Sequence, residues 1–212
     1  MGYAPKHEDA LALFSAGDYE ACVQLCERQL RHAPTNAQVW ARLGQARQAL
    51  AQWPAAQVAF MQACHYEPSS PEFQHNLGLA YAQTQDLARA CAAYSQAHSL
   101  GLHHPLLFNN WGCALRDGAK ISEALDVFEQ GLAHAPPNAD ATLGRLHTNL
   151  GTTLCLAGQS PKGLNHLRRA IELAPQLPEV HANWLLAAHY SDAISGRESA
   201  KLRATVWASF NR

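Results

Sequence analysis

Four asparagines recur at one step of this chain: Asn76 in HNLG, Asn110 in NNWG, Asn149 in TNLG and Asn183 in ANWL. Asparagine disfavours helix by up to about 0.7 kcal/mol per position relative to alanine, so helix propensity does not place it there. A carboxamide carries two N–H donors and an oxygen with two acceptor lone pairs. It can meet both the N–H and the C=O of an extended peptide backbone. A column of such amides predicts a surface that grips main chain without reading side chains. The competing reading is that the amides bond to neighbouring segments of their own chain.

Other chemistry is harder to find. No glycine-rich phosphate loop, HExxH motif or nucleophile elbow is present. The six cysteines form no CxxC pair, and all fall in helical patterns as small apolar packers, which predicts reduced thiols. Cys22 and Cys26, four apart, read as core positions. The 12 histidines include no i,i+4 pair, and His103-His104 reads as loop, so no metal site is expected. No catalytic residue and no cofactor is predicted. A net charge of −1 and the lack of a basic block argue against nucleic acid and against an anionic membrane surface. No apolar run approaches 18 residues and the start MGYAPKHEDA has no apolar signal core, so neither a membrane span nor a secretory signal is expected, and the reduced thiols lead to the expectation of a cytoplasmic location.

The elements that position the asparagines follow a period of 34. Gly44, Gly78 and Gly112 are 34 residues apart, and Gly151 follows after 39. A small residue and, four later, a large one recur as Ala56/Phe60, Ala90/Tyr94 and Ala124/Phe128, with Cys22/Cys26 and Gly163/Leu167 as weaker versions. A second small residue follows at Ala63, Ala97, Gly131 and Ala170, and proline closes units at Pro34, Pro68, Pro136 and Pro175. The pattern resembles the tetratricopeptide repeat, W-x2-L-G-x2-Y followed by Ala, Phe, Ala and Pro. Trp40, Leu43, Gly44, Ala56, Phe60, Ala63 and Pro68 carry one unit, with Arg47 in place of the tyrosine.

That resemblance implies an all-α fold, a right-handed superhelical solenoid of helix pairs A and B. The units read as 3–36, 37–70, 71–104, 105–138 and 144–177, followed by a partial sixth unit and a capping helix over 178–212, with helices at 178–190 and about 196–210. Each unit shares its core with its neighbours. The five extra residues 139–143 are expected to lengthen the fifth A helix. Ser70-Pro71 and Ser160-Pro161 read as a helix cap followed by proline at the first helical position. Gly17 and Gly158 read as turns between A and B.

In this register the four asparagines all stand at position six of helix A. Nine asparagines placed at random over 212 residues would put about 0.25 of one into the six such slots, so four demands a cause. In tetratricopeptide arrays helix A lines the concave groove. Arg42, His75, Asn109 and Thr148 are then groove neighbours of the ladder. An asparagine column resembles the repeat region of the O-linked N-acetylglucosamine transferases and their Spindly-like bacterial relatives. The tail ANWLLAAHYSDAISGRE strengthens the likeness through Asn183, Leu185, His189, Tyr190, Ile194, Ser195 and Glu198. Beyond it the match decays: the family's His-Arg pair is absent and Trp207 is displaced by about one position. The resemblance implies a protein- or peptide-binding arm that recruits acceptors for a glycosyltransferase domain following residue 212. The alternative is a stand-alone scaffold or co-chaperone for complex assembly. Homodimerisation stays open, and Trp53, Trp184 and Trp207 are candidates for such contacts, with core filling preferred for Trp184.

Overall fold

The structure, a computed structural model, describes residues 7–136 and 140–189. It divides into two compact units, Met1–Leu102 and His103–Arg212. The first holds α1 (His7–Ser15), α2 (Tyr19–His32), α3 (Ala37–Ala49), α4 (Trp53–Tyr66), α5 (Pro71–Gln83) and α6 (Leu87–Ser99). The second holds α7 (Pro105–Asp117), α8 (Ile121–Ala133), α9 (Asp140–Leu156), α10 (Ser160–Leu173) and α11 (Pro178–His189). Consecutive helices pack as pairs, and no strand occurs among the described residues. The all-α expectation holds. The helix predicted at about 196–210 lies outside the described residues, as does Trp207.

The Leu-Gly motif has a direct steric cause. Phe60, Tyr94 and Phe128 are fully buried on the B helices. Their rings lie across Gly44, Gly78 and Gly112 of the paired A helices. A Cβ built on Gly44 would sit 2.6 Å from the Phe60 ring. Ala56, Ala90 and Ala124, one turn before each ring, are 0% exposed, which brings the paired helices together beside it. Where the repeat's tyrosine is missing, Arg47 substitutes by polar ties. It reaches Glu27 on α2 at 2.8 Å and donates to the Ala55 carbonyl on α4 at 3.3 Å.

Starts and stops are set locally. Asp18, Asn36, Ser70 and Asp86 cap α2, α3, α5 and α6 by accepting from backbone N–H groups. Ser160 does not act as a cap. It is the first helical residue of α10, Gln159 flanks it without a side-chain bond, and Pro161 falls in the first turn, where its missing N–H costs nothing. Every A–B turn among the described residues passes through a left-handed residue: Gly17, Ala51, Gln85, Ala119 and Gly158. The α9 helix runs 17 residues against 13 for α3, α5 and α7, consistent with the extra residues before it.

Candidate binding groove

In the first unit Asn76 lies on α5 and is half-buried, beside His75, whose ring centroid is 5.8 Å from that of Tyr94. Arg42, at the equivalent slot of α3, donates to Gln45 at 2.8 Å and lays its guanidinium 5.2 Å over the Phe14 ring. Its charge is partly covered, so this slot offers a stacked cation where the others offer amides.

In the second unit α7 and α9 bring their amides into a chain of hydrogen bonds. Asn149 donates to the Asn109 side-chain oxygen at 2.8 Å, and Arg116 donates to Asn149 Oδ1 at 3.3 Å. Asn109 in turn donates to Asn110 at 3.4 Å. The amide of Asn149 is therefore engaged with the preceding helix pair, as the competing reading of the ladder requires for that residue. The engagement uses one donor and one acceptor site, leaving a second of each. Thr148 is buried, and its hydroxyl donates to the Gly144 carbonyl at 2.8 Å, so it presents no hydroxyl to a groove.

Asn183, on α11, is half-buried and lines a concavity of about 530 Å³ with Thr152, Cys155 and Leu156 of α9, Ser160 of α10, and Leu186 and Ala187 of α11. Leu156 and Leu186 are 69% and 58% exposed at its edge, so its rim carries apolar surface open to solvent. Sequence reasoning singled out Asn183 but missed this apolar company. The register could have shown it, since Thr152, Cys155 and Leu156 follow Asn149 on the same turns of helix A.

The cysteines fill structure. Burial first and the neighbouring Cys22 second push the Cys26 thiol up to about 12, and burial pushes Cys64 up to about 11. None of the six is joined in a disulfide. Trp184 is fully buried, as preferred, while Trp53 is half-buried at the start of α4. No group of three or more His, Cys, Asp or Glu among the described residues is placed to hold a metal ion. A pair that sequence reasoning missed is His147 on α9 and His166 on α10, whose Nδ1 atoms are 2.9 Å apart. No helix among the described residues is long and apolar enough to cross a membrane.

Comparison with known proteins agrees with this geometry. Residues 71–100 match the tetratricopeptide repeat family. No curated protein sequence matches the chain. Among solved structures, the chain is similar to PilW, a widely conserved type IV pilus biogenesis factor, with a TM-score of 0.80 and 20% identity over 96% of this chain and 91% of that one. It is similar to YrrB, described as a TPR protein with an unusual peptide-binding site, with a TM-score of 0.70 and 19% identity over 82% and 87% of the two chains. A third similar structure is MamA, at a TM-score of 0.71 and 16% identity over 79% and 95%.

Proposed function

We propose, from a chain with the tetratricopeptide-repeat fold, a protein-interaction module whose A helices hold an extended peptide. The observation that carries this reading is the Asn183 concavity. A carboxamide stands there among Leu156, Leu186 and Ala187, so one site offers hydrogen bonds for a main chain and apolar surface for a side chain. Asn76, Asn110, Asn149 and Asn183 act as the ladder, and the Arg116–Asn149–Asn109 bonds hold the Asn149 amide in one orientation before a ligand arrives. Six cysteines without a disulfide suit a reducing cytoplasm. The narrower reading is an acceptor-recruiting arm of a protein O-glycosyltransferase, and it rests on the asparagine column and the 182–198 tail. The stand-alone scaffold is the second reading, and the repeat match fits it equally well.

The test is calorimetric titration with a panel of unstructured 15-residue peptides, alongside melting curves. Each neutral hydrogen bond contributes about 0.5–1.5 kcal/mol net, so Asn183→Ala weakens binding up to about tenfold without lowering the melting temperature. Asn149→Ala weakens binding and lowers the melting temperature together, because it also loses Asn109 and Arg116. Unchanged peptide affinity in the variant with all four asparagines replaced by alanine ends the ladder reading.

A further inference from the structure

The contact between His147 and His166 lies within one helix pair. Their ring centroids are 5.1 Å apart while the Nδ1 atoms are 2.9 Å apart. The difference is about two ring radii, so the rings meet edge to edge with the nitrogens pointing at each other. In neutral imidazole one nitrogen carries hydrogen and the other a lone pair. One Nδ1 therefore donates and the other accepts, and the pair shares a single proton between helices. Both nitrogen directions lie near the N···N line, which leaves no convergent point for a chelated cation. The repeat register makes the pairing unusual. The corresponding positions hold Trp40 and Ala59, Gln74 and Ala93, and Phe108 and Val127. Only the fifth pair places two titratable rings there.

We infer that the His147–His166 hydrogen bond is an acid-released latch closing α9 on α10. One proton added to the neutral pair gives a monocation that can keep an N–H···N bond; a second leaves both Nδ1 atoms as N–H donors facing each other at hydrogen-bond distance, with two positive charges in a half-buried contact. Bond and contact are then lost together. The surroundings favour the neutral pair. His147 is held down to about 4 by burial first, then by His166 and by Arg169 on α10. His166 is also lowered by burial, with Glu129 on α8 partly opposing. On α7, Arg116 is taken up by Asn149 and Asp117. On α11, His181 is held by the Pro175 carbonyl and Glu179 is exposed.

The sign follows from linkage. Above the ordinary imidazole range near 6.5 both folded and unfolded chains are neutral at these rings, and the latch contributes fully. Between about 6.5 and 4 the unfolded chain binds protons that the folded chain refuses, so stability falls as pH falls. The device is independent of the peptide-binding reading, because neither ring is a ladder residue.

The test is urea denaturation of the full chain at pH 7.5 and pH 4.5, comparing the natural protein with His166→Gln, which keeps a hydrogen-bonding side chain but does not titrate. Other histidines and the carboxylates contribute equally to both proteins. Burial still holds His147 down in the variant, so the natural protein should lose only the share due to the pair, about threefold to tenfold more of its folding equilibrium constant across that range. Equal losses overturn the latch. Should His166→Gln fail to fold, ring nitrogen NMR on the natural protein decides. One protonated and one bare Nδ1 at pH 7, both rings titrating well below 6.5, supports it; ordinary titration of either ring overturns it.

Discussion

In α3/α4 the closest approach of two helices is filled by a ring: Phe60 lies on Gly44, and a Cβ there would meet ring carbons at 2.6 Å. In α9/α10 the closest approach is backbone on backbone. A Cβ on Gly163 would meet the Gly151 carbonyl oxygen at 2.6 Å, and one on Gly151 would meet the Gly163 carbonyl oxygen at 2.8 Å. The large B-helix residue there is Leu167, fully buried, and no aromatic ring separates the helices at this level. A polar group then enters the contact, the hydrogen-bonded pair of His147 and His166. A ring-filled pair is locked by an apolar plug. A glycine-on-glycine pair closes more tightly along the backbone and takes its remaining specificity from hydrogen bonds, which pH can reach.

The largest expected effect breaks the plug. Phe60→Ala should cost about 3–5 kcal/mol in urea denaturation, since the ring is fully enclosed and Gly44 cannot move in to refill its space. The comparable truncation in the fifth pair, Leu167→Ala, removes fewer atoms and should cost about 2–5 kcal/mol, towards the lower end because the glycine backbones already touch. A loss at Leu167 greater than at Phe60 would show that the fifth pair depends on its plug as the second does.

A smaller effect separates the two contacts by rescue. Gly44→Ala and Gly163→Ala each overpack their interface, by about 1–3 kcal/mol. At Gly44 the obstacle is a side chain, so Phe60→Leu in the same protein should recover much of the loss. At Gly163 the nearest atoms are the Cys155 sulfur at 2.5 Å and the Gly151 carbonyl oxygen at 2.6 Å. Cys155→Ala removes the first and leaves the second, so it should recover little. Full recovery there would mean that backbone contact is not what closes the fifth pair.

The regular pairs were legible because their sterics repeat. Glycine at 44, 78 and 112 and an aromatic at 60, 94 and 128 are two halves of one contact, and the period of 34 displays both. The fifth pair keeps Gly151 but puts Gly163 and Leu167 where Ala and Phe stood, which shows in the sequence as a weak match and in the structure as a different kind of contact. The site was legible by residue type and not by environment. The asparagine column announced amides, yet the bonds of Asn149 to Asn109 and Arg116 depend on which neighbour a flexible side chain reaches. His147 and His166 are 19 residues apart on different helices, so no scan along a single helix brings them together. Their meeting needs the register of A against B.

The smallest prediction uses the turns that follow the two contrasted A helices. After α3 the left-handed residue is Ala51, at φ 56°; after α9 it is Gly158, at φ 76°. Both turns are closed by the same bonds, the residue's own N–H to the carbonyl three back and the next N–H to the carbonyl five back: Ala51 to Gln48 and Gln52 to Arg47, Gly158 to Cys155 and Gln159 to Leu154. A Cβ on Gly158 would meet nothing within 4 Å, so any cost of Gly158→Ala is the backbone's own. That cost is the left-handed penalty for an L-residue, about 1–2 kcal/mol, less about 0.4–1 kcal/mol regained from a less flexible unfolded chain. Ala51→Gly should therefore stabilise, and Gly158→Ala destabilise, by similar amounts of roughly 0.5–1 kcal/mol in thermal or urea denaturation. Equal and opposite shifts would place the whole difference between the two helix pairs in their interfaces. A Gly158→Ala loss well beyond the Ala51→Gly gain would show that the tight glycine contact of the fifth pair is strained through its turn as well.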